Sequence, residues 1–383
     1  MLLSFRQSVE KGPSVSLCSI SRVRLWGKRR TRARITKHES LKDLRRNKLM
    51  IIDAHTHYTT APLELQGYRA QQIINLGRPG RAKLQVSDEA LLRSMQGQFA
   101  RMKETGIDRL LFSPQASAMG HHFGSPLVSR YWTEACNDLI ARVARLWPEK
   151  ISPVCQLPQS PGVSPKEWVD ELGRCVKELG FVGCNVNPDV AGGREPLTPS
   201  LGSEWWYPLW EKMVELDVPC TIHASASLNP AMHLTNSYYI AQHHSGAVEL
   251  LRSRVFKDFP KLKIIIPHGG GAIPYQWNRH RGMHVKEGLE PFEEAVRKVY
   301  WDMAIYDKES MELLIKRIGV DNVLFATEMF GAVNAIDPKT GRNFEDIVPI
   351  FKSIDWLTEE DRRKITEGNV RKVFSRVSAQ SKP

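Results

Sequence analysis

The 383-residue chain contains no apolar run approaching the ~18 residues that a membrane-spanning helix requires, which excludes a helical membrane protein. It is poor in cysteine. The six thiols (Cys18, Cys136, Cys155, Cys175, Cys184, Cys220) form no CxxC pair, and several sit inside apolar runs. Buried thiols of a reducing, cytoplasmic compartment are therefore expected rather than disulfides. No secretory apolar core and no internal repeat is visible. The composition is otherwise ordinary, with 42% hydrophobic and 25% charged residues and a mean hydropathy of −0.35, which excludes a collagenous or globally disordered chain.

Net positive charge is also scarce over most of the length. The formal net charge is +12, but residues 1–48 alone hold 14 Lys and Arg against three acids, Glu10, Glu39 and Asp43. The remainder is nearly neutral, so the basic isoelectric point does not argue for nucleic-acid binding by the folded body. Residues 1–48 have too little apolar surface to offset the entropy of ordering and read as a disordered extension. Three origins compete for it: an organellar transit peptide, a basic tail for nucleic acid or anionic lipid, and sequence upstream of a true start at Met50. The last is favoured, because Met50 leads straight into Ile51-Ile52-Asp53-Ala54-His55-Thr56-His57. A catalytic domain is expected over 49–375 and a short tail over 376–383.

What is present from residue 49 onward is an alternation. Apolar, β-rich runs lie at 49–57, 108–114, 151–158, 181–188, 219–225, 263–270, 299–304 and 323–329. Helix-like segments at 89–105, 131–146, 165–179, 204–216, 243–259 and 308–318 lie between them. Alternation of this kind argues for parallel strands with right-handed crossovers, and eight of them predict an α/β fold, a (β/α)8 TIM barrel. A doubly wound sheet would carry a Gly-rich phosphate turn after its first strand, where His-Thr-His stands here. The connections 58–88 and 226–243 are long enough to build a pocket or lid. The cluster Trp205-Trp206-Tyr207-Pro208-Leu209-Trp210 opens an amphipathic segment and is expected to pack in the core.

Ionisable residues recur where these runs end: His55 and His57 at the first, His223 at the fifth, His268 at the sixth and Glu328 at the eighth. Strand C-termini of a barrel meet on one rim, so these five are expected to converge. Residues i and i+2 of a strand share a face, which lets His55 and His57 reach one cation. Neutral imidazoles with a carboxylate suit Zn2+, and Mn2+ or Fe2+ can take the same donors. The tandem pairs His121-His122 and His243-His244 fit no constellation and read as surface or capping residues.

Asp53-Ala54-His55-Thr56-His57, Ile222-His223-Ala224-Ser225 and Pro267-His268-Gly269-Gly270-Gly271 resemble the marks of the amidohydrolase superfamily, in the branch of amino-carboxymuconate-semialdehyde and resorcylate decarboxylases. The resemblance spans about 50–375. Within the branch, Phe112-Ser113-Pro114-Gln115, Asn185-Val186-Asn187-Pro188-Asp189, Asn229-Pro230-Ala231-Met232-His233 and Glu328-Met329-Phe330-Gly331 look most like the 4-oxalomesaconate hydratases. Binuclear superfamily members carry a bridging Lys after the fourth strand. None stands there, which implies a single metal. Branch decarboxylases usually place Asp where Glu328 stands, which favours a hydratase over a decarboxylase.

The resemblance implies addition of water to the C=C bond of an unsaturated 2-oxo tricarboxylic acid in the breakdown of protocatechuate- or gallate-type aromatic acids. It implies one divalent metal ion held by His55, His57, His223 and Glu328, with Glu328 as base and His268 moving a proton at carbon. It also implies a homo-oligomer. Arg279 and Arg281 occupy the places of two arginines in such hydratases and would bind substrate carboxylates. Tyr239, Asn185 and Ser113 would add hydrogen bonds. The competing readings are a non-oxidative decarboxylase, a mononuclear hydrolase, and a nucleic-acid or membrane binder acting through residues 1–48.

Overall fold

The computed structural model describes residues 49–81, 84–233 and 236–380. The basic segment 1–48, expected to be a disordered extension, lies outside the described residues. Eight parallel strands follow one another in chain order in one sheet: β1 (Ile52–His57), β2 (Arg109–Ser113), β3 (Ile151–Gln156), β4 (Gly183–Val186), β5 (Cys220–Ile222), β6 (Ile264–Ile266), β7 (Tyr300–Asp302) and β8 (Val323–Leu324). Every apolar run of the sequence contains one of them. From β2 onward the last residues of each run lie beyond the strand, whereas β1 runs to the end of its run at His57.

Closure of the barrel rests on the segment after β8. The Ala54 amide donates to the Phe325 carbonyl at 2.9 Å, and the Glu328 amide donates to the His55 carbonyl at 2.9 Å. The buried Asp53 carboxylate adds to this seam by accepting the Thr327 amide at 3.0 Å and the Thr327 hydroxyl. This is the TIM barrel that the alternation predicts. The strands are buried almost throughout, as parallel strands flanked by crossover helices must be.

The helices that matter for the site are α1 (Leu63–Ile74), α2 (Asp88–Thr105), α3 (Pro126–Leu146), α4 (Val169–Lys177), α5 (Tyr207–Leu216), α6 (Tyr238–Leu251), α7 (Trp277–Glu287) and α8 (Lys308–Ile318). Local signals set their ends. Ser87 caps α2 by accepting the Ala90 amide, Asp307 caps α8 by accepting the Ser310 amide, and Pro126 opens α3, where a missing amide hydrogen costs nothing. The helix expected over 243–259 begins earlier, at Tyr238, and ends at Leu251 before a short turn at Val255–Asp258. The long connection after β1 folds into α1.

Trp206 and Trp210 stack at 5.7 Å with Trp168 edge-on at 5.6 Å, all fully buried, so the aromatic cluster is core. The five cysteines among the described residues are free and buried. Helix α9 (Ser375–Gln380) runs into the segment expected as a tail, whose residues 381–383 lie outside the described residues. Its Val377 is buried against Phe374 and the barrel strands, while Ser375 and Arg376 bond to Asp217 and Leu216 just ahead of β5. The C-terminus thus covers the strand N-termini, opposite the rim that bears the histidines.

Candidate active site

The five ionisable residues that end the apolar runs meet at the C-terminal rim. His55 and His57 lie on β1, His223 follows β5, His268 follows β6, and Glu328 follows β8. His55 Nε2 is 2.9 Å from His57 Nε2, which is 3.1 Å from His223 Nε2. Glu328 Oε1 stands 3.9 Å from the Nε2 atoms of His57 and His223, and its Oε2 stands 3.7 Å from His268 Nε2. His55, His223, His268 and Glu328 each offer one ligand atom, all within 4.8 Å of one another.

The outer ring nitrogens explain why the inner ones converge. His55 Nδ1 donates to the Asp302 carboxylate at 2.8 Å, His223 Nδ1 to the Ala224 carbonyl at 2.8 Å and His268 Nδ1 to the Ala304 carbonyl at 3.1 Å. Carboxylates and carbonyls only accept, so these protons point outward and the Nε2 lone pairs point in. His57 Nδ1 meets Ser113 Oγ at 2.8 Å. Lone pairs held ~3 Å apart repel unless a proton or a metal cation lies between them. Two imidazole nitrogens ~2.1 Å from a common Zn2+ at the tetrahedral angle would stand ~3.4 Å apart, a few tenths of an ångström beyond the spacing of these rings. The donor set therefore fits a divalent ion, and outward bonds of this kind are what fix metal-ligating imidazoles.

Electrostatics agree. Burial alone would raise the Glu328 carboxyl. The charge at His268, the hydrogen bond from His223 and the charges at His55 and His57 instead hold it well below the usual carboxylate range. Burial, then the positive charge of His223 and His55, pushes His57 well below its ordinary value. Asp302 is kept ionised against burial by the charge and hydrogen bond of His55. His268 and Glu328 also share a left-handed backbone, with φ of 52° and 56°, uncommon for residues with side chains and concentrated at working sites. Gly270 makes the His268 turn feasible: its φ is 70°, and a Cβ there would strike the Trp301 ring.

The cluster forms the floor of a cavity of about 670 Å³. His57, His223, His268, Glu328, Tyr239 and Tyr306 line it, together with Thr59, Gln115 and the 331–333 segment. Tyr239 presents a hydroxyl that has no protein partner among the described residues, whereas Tyr238 is engaged with Asp189 at 3.2 Å. Ser113 and Asn185 are not on the wall. Register pairs Ser113 with His57, and Asn185 Nδ2 donates to Ser113 Oγ at 3.1 Å, so both stand behind the His57 ring. Arg279 and Arg281 are not brought to the cavity either. Both stand at exposed positions of helix α7. Arg281 pairs with Glu293 at 2.5 Å, and Arg279 lines a separate surface cleft beside His244 and His280.

Residues 52–376 match the amidohydrolase family. The chain belongs to that family. A 2-keto-4-carboxy-3-hexenedioate hydratase of Sphingobium sp. is 44% identical over 87% of this chain and 98% of its own length. The solved 4-oxalomesaconate hydratase of Rhodopseudomonas palustris superposes with a TM-score of 0.79 at 41% identity, covering 86% of this chain and 97% of that one. A dihydroxybenzoic acid decarboxylase of Polaromonas sp., solved with manganese and an inhibitor, shares the fold at a TM-score of 0.65 and 22% identity, covering 86% and 97% of the two chains. This amidohydrolase thus sits in the decarboxylase and hydratase branch.

Several residues of the site escaped the sequence reading. Asp302 ends β7 as the others end their strands, and that position was the available signal. Tyr306, whose hydroxyl reaches Glu328 Oε2 at 3.3 Å, lies four residues beyond it and had none. His243 and His121 are buried rather than surface or capping residues. His243 stacks on His268 at 5.1 Å and accepts the Ala224 amide, while His121 Nε2 meets the Gln156 amide nitrogen at 3.0 Å. Among the described residues, no helix is long and apolar enough to cross a membrane.

Proposed function

We propose that this amidohydrolase is a metal-dependent hydro-lyase. It adds water across the C=C bond of an unsaturated 2-oxo polycarboxylic acid of the 4-oxalomesaconate type, in the breakdown of aromatic acids. The carrying observation is Glu328: a carboxylate one methylene longer than Asp, touching both the imidazole cluster and the open cavity, in a chain alike along nearly its whole length to a hydratase.

His55, His57, His223 and Glu328 would hold one divalent ion, with zinc favoured by the imidazole-rich donor set and manganese or iron able to replace it. Such an ion supplies positive charge that makes an adjacent water acidic near neutral pH. Conjugation to the 2-oxo group makes C4 of the substrate electrophilic. Glu328 orients the water and takes its proton as the oxygen bonds to C4. The C=C electron pair moves toward the 2-oxo oxygen as an enolate, for which the Tyr239 hydroxyl is a free donor in the cavity. Protonated His268 then delivers a proton to C3. The 3.7 Å gap between Glu328 and His268 lets the proton taken from water return to His268, which completes the cycle without net acid or base. The buried free thiols support a reducing compartment, and we place the enzyme in the cytoplasm.

The test is a paired assay of metal-loaded enzyme with 4-oxalomesaconate. Loss of enone absorbance without CO2 release is expected. Release of CO2 in step with turnover would overturn the hydratase reading in favour of a decarboxylase.

A further inference from the structure

A tricarboxylate needs fixed positive charge, yet among the described residues no Lys or Arg lines the main cavity, and the two arginines of α7 are not on its wall. A second cavity of about 260 Å³ adjoins the first, and Thr59 and Gln115 line both. Its walls are mostly apolar, from Tyr58, Leu65, Ile73, Trp132 and Leu139, and they hold one cation, Arg69 of α1.

Arg69 is a half-buried guanidinium with no acid beside it. Among the described residues its hydrogen bonds go to neutral acceptors, the Gln72 side chain at 3.2 Å and the Met119 carbonyl at 3.1 Å. Its face lies over Trp132 at 4.7 Å. Among the described residues no carboxylate comes within ion-pair distance of it. A guanidinium has five donors in a rigid fork, and two are used. Burying it without a counter-charge is costly, and the carboxylate of a ligand would offset that cost. The Met119 and Gln72 bonds and the Trp132 ring fix the fork, so that little side-chain entropy is lost when an anion arrives.

We propose that this side cavity is a carboxylate subsite of the active site, with Arg69 gripping a carboxylate of the substrate while the apolar walls receive the carbon chain. The assignment deepens the hydratase reading, since it names what binds an acid group remote from the imidazole cluster. It also gives α1, the insertion after β1, a role in selecting polyacids over monoacids.

Calorimetric titration of the metal-loaded protein with two unreactive probes tests it. Tricarballylate and glutarate share a three-carbon chain and differ by one carboxylate. The wild type is expected to bind tricarballylate at least tenfold more tightly than glutarate. Arg69→Met is expected to erase that preference, and Arg69→Lys to restore part of it. A preference that survives Arg69→Met, or its absence in the wild type, overturns the subsite. With 4-oxalomesaconate, Arg69→Met should raise KM at least tenfold and leave kcat within about threefold, whereas damage to packing alone would lower stability without touching probe preference. A wild type that shows the Arg69-dependent preference yet leaves the enone unchanged would keep the subsite and sink the hydratase reading.

Discussion

Glu328 carries two demands at one residue, because it touches the imidazole cluster through Oε1 and His268 through Oε2. Replacing Glu328 by Gln keeps the shape and removes the base. Turnover should fall by on the order of 10²–10⁴-fold while metal, measured by elemental analysis, is retained by the histidines. A near-normal rate in that variant would refute the role. Asp302 works one step back by fixing His55 through Nδ1. Asp302→Asn should weaken metal affinity by roughly 10–100-fold, read by competition with a chromogenic chelator. Tyr306 donates to Glu328 from the cavity wall, and burial, with Glu328 and Glu345 nearby, keeps its phenol protonated. Removing a hydrogen bond to a charged group costs about 1.5–3 kcal/mol, so Tyr306→Phe should lower kcat/KM by roughly 10–100-fold. Circular dichroism should show an unchanged fold.

At the scale of elements, the segment after β8 carries more of the site than any strand does. β8 itself is two residues long. Beyond it, Thr327 is tied to Asp53, and the Gly331, Val333 and Asn334 amides all donate to the buried Glu345 carboxylate at 2.8–3.1 Å. One carboxylate thus shapes the loop that forms a cavity wall, satisfying amides that burial would otherwise leave unpaired. Gly331 packs directly on Glu328: a Cβ there would lie 2.8 Å from Glu328 Cγ and strike the Glu328 carbonyl. Gly331→Ala should therefore displace Glu328 and lower kcat at least tenfold in a protein that still folds. Kinetics with a thermal melt check this, and an unchanged kcat would show that the loop yields without moving the base.

For the molecule as a whole, imidazole nitrogens crowded ~3 Å apart beside a carboxylate make the barrel rim a place where folding and ion binding are coupled. A ligand that binds only the native state stabilises it by RT ln(1 + [L]/Kd), roughly 2.7 kcal/mol at a hundredfold excess over Kd. Removing metal with a strong chelator should abolish turnover and lower the melting midpoint by several degrees. Zn2+ or Mn2+ should restore both. A midpoint and rate indifferent to chelation would contradict the coupling.

The sequence by itself determined the barrel, because eight β-rich runs alternating with helical periodicity leave few topologies that bury every strand on both faces. It also determined His55, His57, His223, His268 and Glu328 as one group, since a closed barrel brings strand C-termini to a single rim wherever they lie in the chain. What only the tertiary structure decided is which side chains face that rim from outside the strands. Arg279 and Arg281 follow β6 closely in sequence, but both stand exposed on α7, where Arg281 pairs with Glu293. Ser113 and Asn185 do stand at strand ends, yet parallel register sets them behind His57. Tyr306 and Arg69 lie on loop and helix with no periodic signal, and they reach the cavities because the chain folds back over them. A strand's side-chain direction follows from its period of two, whereas the direction of a loop or of a helix outside the barrel is fixed by what it packs against.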